Sequence, residues 1–305
     1  MIVFATSDKG GTGRSVTSGN VAYRAALRGD NIAYLDFDFG SPTAGAIFDI
    51  PSVEHGTIQG GLHSHLRGEL TNPTRLDVWS ESDRSSLRGR PAGAGRLVLL
   101  PGDSSGGEFN ATPDMVRRAI DLMLSTEEEF DVTIVDLSAG RSYATDIALA
   151  ASAYLQKRGV VTRWLVFHRW TRQHIIAAAS LVYGDHGLLK TGAERGHDPQ
   201  RLADSIRFVR TAVVDPDSPA LAGLGAPQVA WLRECNANLQ VLAQRNKVGR
   251  TLMLGAVPLD PVLQWREQLI SNNDVYTRQI ANLQTVEAFE MLAEKLTDDR
   301  AWEGL

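Results

Sequence analysis

Asp8-Lys9-Gly10-Gly11-Thr12-Gly13-Arg14-Ser15 puts three glycines, two cations and two hydroxyls into eight residues, and Val16 follows at once. Glycines let a backbone curl until successive N–H groups point inward, which is the geometry that holds an oxyanion. A helix starting beside such a loop adds the positive end of its dipole. Gly10, Gly11, Thr12, Gly13, Arg14, Ser15 and Val16 are therefore the candidate phosphate cradle, and Ser15 stands where a hydroxyl would ligate Mg²⁺. Two further stretches carry carboxylates. Leu35-Asp36-Phe37-Asp38 has acids two apart, so strand alternation sets both on one face. Phe130-Asp131-Val132-Thr133-Ile134-Val135-Asp136 ends an apolar run in an aspartate, which can hold Mg²⁺ through water near phosphates.

These groups need a scaffold that brings strand ends together. Residues 2–6 (IVFAT) read as a strand, 15–28 as a helix with one apolar side, and 31–37 (NIAYLDF) as a second strand. Strand, glycine turn, helix, strand is a βαβ unit, and the pattern recurs with strands at 96–100, 132–137, 164–167, 206–214 and 251–257. Helices fall at 113–124, 147–155, 173–183, 229–243 and 282–296. The expected fold is α/β, a three-layer αβα sandwich of the P-loop NTPase type with a mostly parallel central sheet. Residues 52–95 read as irregular surface with one short helix near 62–67 and a possible strand in LDVW at 76–79. Residues 184–200 read as a mobile loop. One domain spanning 1–305, with irregular insertions near 52–95 and 184–204, is expected over two.

Composition narrows the classes. The chain has 305 residues, a net charge of −5 and one cysteine, Cys235, which excludes an internal disulfide framework and suits a reducing compartment. No apolar run reaches the length of a membrane span, and the N-terminus lacks the basic region of a signal peptide, so a cytoplasmic protein is expected. Residues 281–305 hold six acids and two bases, a tail that anionic lipid would repel. Membrane anchoring through this tail is not expected.

Lys9 to Ser15, KGGTGRS, resembles the opening motif of the ParA/MinD superfamily of deviant Walker A ATPases, Lys-Gly-Gly-x-Gly-Lys-Ser/Thr. Arg14 replaces the second lysine, a departure similar to an actinobacterial branch of variant P-loop proteins. The resemblance implies that Lys9 reaches the phosphates of a partner subunit in a nucleotide-sandwich homodimer. It implies that Asp38 orients the attacking water, that Asp36 supports the Mg²⁺ region, and that Asp136 belongs to the Walker B strand. Leu137–Arg141 resembles the loop that follows that strand. Val257-Pro258-Leu259-Asp260 resembles the turn that lies against adenine, so Pro258 and Asp260 are its candidate base contacts. The asparagine that often reads the base is absent near Val209-Arg210-Thr211.

The implied cofactors are ATP and Mg²⁺, and the implied function is a nucleotide-binding switch whose dimerisation, and slow hydrolysis if any, follow the bound nucleotide. Asp38, Lys9 and Arg14 are the candidate catalytic residues; Ser15, Asp36 and Asp136 are the candidate metal residues. Arginine keeps the charge of the lost lysine but is a rigid planar fork where lysine is a mobile point charge, so phosphate binding is expected ahead of turnover. The alternative is a catalytically degenerate scaffold acting by protein–protein contact. A small-molecule kinase ranks third, because no acceptor site shows in 52–95. The partner protein cannot be read from the chain. His168, Arg169, Trp170, Arg172 and His174 read as a basic, aromatic surface cluster that leaves DNA contact open. His55, His63 and His65 read as non-metal histidines.

Overall fold

β-Branched and aliphatic residues that run without polar interruption can be satisfied only where helices cover both sheet faces. In the computed structural model, which describes all residues except 105, 108, 217, 219–222, 304 and 305, this is what they do. β1 (Ile2–Thr6), β2 (Ile32–Phe37) and β5 (Val132–Leu137) are buried along their whole length. With β3 (Leu76–Asp77), β4 (Leu97–Leu100), β6 (Thr162–Arg169), β7 (Ile206–Val213) and β8 (Met253–Pro258) they form one sheet in the order β3-β4-β2-β5-β1-β6-β7-β8. Every pairing is parallel except β3 with β4.

Two apolar cores follow, one per face. On one side α1 (Arg14–Leu27) and α13 (Leu283–Thr297) cover Val3, Tyr34, Ile134 and Leu165. On the other α5 (Pro113–Glu129), α6 (Tyr143–Lys157) and α7 (Arg172–Tyr183) cover Phe4, Leu35, Val135 and Val166. Phe4 stacks on Trp164 there, with ring centroids 4.6 Å apart. This is the expected three-layer αβα sandwich. The acidic C-terminal stretch is half core: Val286, Phe289, Leu292 and Leu296 of α13 are buried, and its acids line the outer face. No helix among the described residues is long and apolar enough to cross a membrane.

Short helices account for most differences from the sequence expectation. α2 (Ala44–Ile47), α11 (Pro261–Trp265) and α12 (Asn272–Tyr276) span too few turns to show a period. The short helix expected near 62–67 is α3 (Leu62–Arg67). LDVW divides: β3 takes its first two residues, and Asp77 then caps α4 (Val78–Glu81) by accepting from the Trp79 amide at 2.9 Å. The segment read as a mobile loop is built from α8 (Leu188–Glu194) and α9 (Pro199–Asp204). Tertiary contacts hold them. Leu188 and Leu202 are buried, and His197 bridges Ser152 and Gln156. α10 (Ala226–Arg245) is the outlier, a twenty-residue helix with only Ala243 buried.

α1 carries the candidate loop at its N-terminus, and a polar clamp holds it in place. Asn20, with no exposed surface, donates to the Val16 and Gln268 carbonyls and accepts from the Ile270 amide at 2.7 Å. One turn on, Arg24 donates to the Ile270 carbonyl at 2.6 Å and to Asn272 at 2.7 Å. Both side chains exchange water for protein partners, which is favourable only while every partner stays in reach. Asn20→Ala should therefore cost about 2–4 kcal/mol, because it leaves the Ile270 amide and the Gln268 carbonyl buried without partners. Urea unfolding checks this, and a loss below about 1 kcal/mol would mean that the segment at 268–270 is held by its apolar contacts alone.

Candidate functional site

The loop leaves the C-terminal end of β1, between β5 and β6. That edge is where an open parallel sheet forms its crevice. Gly11 and Gly13 have φ of +70° and +73°, the left-handed region where a side chain is strained, and Gly13 caps α1. A Cβ at Gly10 or Gly11 would meet nothing within 4 Å, so these glycines serve the backbone path and the open face of the loop. Thr12 is buried and its carbonyl accepts from the Thr211 hydroxyl, which ties the loop to the end of β7.

Arg14 is the centre of the site. Its side chain is 7% exposed and does not lie along the loop. Nε donates to Asp136 Oδ1 at 2.6 Å, and Nη2 donates to Asp38 Oδ2 at 2.9 Å and to Ser15 Oγ at 3.1 Å. Burial opposes its charge, but Asp136 and Asp38 outweigh that cost and hold the guanidinium firmly protonated. Nη1 bonds to none of the described residues and is not sealed from solvent.

The aspartates divide by role. Asp136 faces Asp36 across the β2–β5 register, and its other oxygen accepts from Tyr34 Oη at 2.9 Å. Tyr34 also bonds Ser18 Oγ at 2.8 Å, and burial holds its phenol un-ionised. Asp36 is fully buried, and its oxygens accept from the Asp38 and Ala44 amides at 3.2 and 3.0 Å. Burial, and then the charge of Asp136, push its pKa up to about 8, so it is a neutral carboxylic acid at pH 7. Asp38 lies just past the end of β2, in reach of the loop.

The three expected metal residues are thus brought to one strand edge but are otherwise committed. Ser15 Oγ and Asp136 already accept from Arg14, and Asp36 is protonated and spent on backbone amides. While Arg14 holds these carboxylates, the donor set does not fit a divalent cation. Among the described residues, no group of three His, Cys, Asp or Glu side chains is arranged to hold a metal. His63 is buried, with Nε2 on the Phe39 carbonyl and Nδ1 on the Asp103 amide, each at 3.0 Å.

A cavity of about 230 Å³ opens beside the loop, lined by Gly11, Thr12, Gly13 and Val16 together with Thr211, Val257, Pro258, Gln264 and Glu267. Pro258, a candidate base contact, is among these lining residues. Asp260 also borders it, but its carboxylate caps α11 through the Val262 amide and holds the Asn282 amide and Thr285 Oγ1, at 2.7 to 3.0 Å. That is a structural commitment. Ala212, also on the rim, has a φ of +50°, a strained backbone at the site. Lys9 is exposed, and its side chain bonds to none of the described residues. Asp8 pairs with Arg141 at 3.0 Å, which joins the loop to the segment after β5. The basic, aromatic stretch divides, with Arg172 exposed and Arg169 and His174 half-buried. His168 and Trp170 are buried, and Arg210 lies 3.9 Å over the Trp170 ring. Tyr34 was not singled out in the sequence; the only signal is that it shares the face of β2 with Asp36, two residues away.

No protein-family model matches the chain. It is 26% identical over 161 residues to an uncharacterized ATP-binding protein of Methanocaldococcus jannaschii, a match covering 49% of this chain and 50% of that protein. The chain therefore spans about half the length of this curated relative. Solved structures are similar over nearly all of it. MinD from a MinC:MinD cell division complex of Aquifex aeolicus matches at a TM-score of 0.60 and 15% identity, covering 97% of this chain and 95% of that one. The Pyrococcus horikoshii septum site-determining protein MinD, solved with Mg-ADP, matches at 0.56 and 13%, covering 100% and 99%. A plasmid partition protein from Borrelia burgdorferi bound to AMPPNP matches at 0.57 and 13%, covering 96% of each. The chain has the fold of the MinD and ParA ATPases.

Asp36 sets a pH dependence of stability. Unfolded, it ionises near the ordinary carboxylate value of about 3.9, whereas folded it keeps its proton to about 8. Its raised folded value contributes stability that is complete below the unfolded value and lost as pH rises to the folded one. The loss approaches about 1.4 kcal/mol per pH unit, so roughly 2–3 kcal/mol should disappear between pH 6 and 8. Unfolding of wild type and Asp36→Asn across that range checks this: the variant should lack the decline. Parallel profiles would mean that folded Asp36 is already ionised at pH 6.

Proposed function

We propose that this chain is a nucleotide-binding protein of the ParA/MinD kind, acting as a single P-loop unit, with ATP as its ligand. The observation that carries the reading is the loop itself: two left-handed glycines at the start of α1, at the C-terminal end of β1, opening onto a cavity bordered by the end of β8. Loop amides and the dipole of α1 would take the phosphates. The base would lie in the cavity toward Pro258, with Gln264 and Glu267 supplying polar edges. The ATP-binding relative and the nucleotide-bound neighbours support this choice of ligand.

The switch part of the reading rests on Lys9. An exposed lysine that bonds to none of the described residues, standing beside the phosphate cradle, could reach phosphates bound by a second copy of the chain. Dimerisation would follow ATP and would alter binding to a partner protein. Turnover ranks below binding, because Asp38, the residue implied to orient water, is held by Arg14. Arg14 at this position sets the chain with variant members of that group. The same ion pair is the specific observation behind the second reading, a degenerate scaffold. The two separate on nucleotide binding.

Purified wild type should bind ATP, gain mass toward a dimer when it does, and release phosphate slowly or not at all. Gly13→Ala, which forces a side chain into the left-handed region, should weaken ATP binding by about tenfold or more. Lys9→Ala should keep ATP binding and lose the ATP-dependent dimer. Calorimetry with light scattering reads all three. Absence of ATP binding by wild type would remove the switch and leave the scaffold.

A further inference from the structure

We propose that the Arg14 guanidinium is a built-in substitute for the divalent cation at this site, so that the nucleotide is taken up without a metal ion. The inference rests on the nucleotide reading above and adds how the site is charged. A divalent ion at a phosphate loop has two tasks. It must neutralise the carboxylates at the adjoining strand ends, and it must offer positive charge to the phosphate oxygens.

Arg14 has the geometry for both. Nε and Nη2 are spent on Asp136, Asp38 and Ser15, the two charged carboxylates and the hydroxyl that a metal would need. Nη1 is left over, bonded to none of the described residues. A planar fork with two nitrogens on carboxylates and one free can pass its charge to a phosphate oxygen as a bridging cation would. An incoming divalent ion would meet Asp136 and Ser15 already accepting from a buried, doubly paired arginine, and could take them fully only by displacing it. Lysine could not hold the same arrangement. Its single ammonium cannot span both carboxylates as the fork does, and it would leave Asp136 and Ser15 available to a metal.

The test titrates ATP calorimetrically into wild type and Arg14→Lys, each in excess EDTA and in millimolar MgCl₂, with thermal unfolding to confirm that the variant is folded. Lysine keeps the positive charge beside Asp136, so a folded variant is expected where Arg14→Ala would leave that carboxylate bare. Wild type should bind with an affinity that changes by no more than about twofold between the two conditions, whereas Arg14→Lys should bind at least about tenfold tighter with magnesium. A wild-type affinity that falls tenfold or more in EDTA overturns the proposal and leaves the nucleotide reading standing. Magnesium independence in both proteins overturns the assignment to Arg14. If wild type binds ATP in neither condition, the nucleotide reading itself has failed and this inference goes with it.

Discussion

A guanidinium buried at the C-terminal edge of these strands needs partners for its charge, and carboxylates crowded there need a cation. Arg14, Asp136 and Asp38 satisfy each other on these terms, and neighbouring groups adjust to the result. Tyr34 spends its hydroxyl on the second oxygen of Asp136. Asp36 opposes Asp136 in register with no cation of its own, and gives up its charge. Removing Arg14 leaves Asp136 buried without a cation, and removing Asp136 leaves the buried guanidinium with Asp38 alone. The cluster therefore determines what the strand ends can do as well as what holds them together.

The glycine loop and the charge cluster meet at Arg14, and that junction shapes the chemistry. Gly11, Thr12 and Gly13 of the loop line a cavity bordered by β7 and β8. The one buried side chain of the loop region that carries charge looks down, into the strand ends. An anion can thus be held by amides and a helix dipole while the arginine keeps the carboxylates neutralised. The clamp through Asn20 and Arg24 keeps α1 at the height where both contacts are made. Thr211 at the end of β7 and the Asp8–Arg141 pair after β5 fasten the loop from either side. The site is held by polar contacts between distant parts of the chain, which is how a short Gly-rich turn can keep one shape.

Much of this was legible in the order of residues. Strand, glycines, helix, strand at 2–37 specified the βαβ unit, because uninterrupted apolar runs and one-sided helices leave few other packings. Gly11 and Gly13 announced a backbone that other residues would strain. Asp136, ending an apolar strand, could be placed at the C-terminal edge from its own segment. The errors fall where local pattern is weak. Four to seven residues cannot display a helical period, so α2, α8, α9 and α11 were not visible, although Asp198-Pro199 did carry a cap and a first-turn proline for α9. His168 and Trp170 were read as surface because they are polar or amphipathic, and only tertiary packing put Arg210 against the Trp170 ring.

The sequence by itself determined the kind of fold, the location of an anion-binding turn and the acids that would stand near it. Those properties follow from side-chain periodicity and from the backbone freedom of glycine, both written within a few residues. Where the Arg14 charge goes was a different matter. From the sequence an arginine in the loop reads as a hand on phosphate, since its own segment contains nothing else for it to hold. Only the parallel register of β2, β5 and β1 brought residues 38 and 136 within 3 Å of its nitrogens. A buried cation takes the nearest buried anions, and which anions are nearest is a property of the sheet.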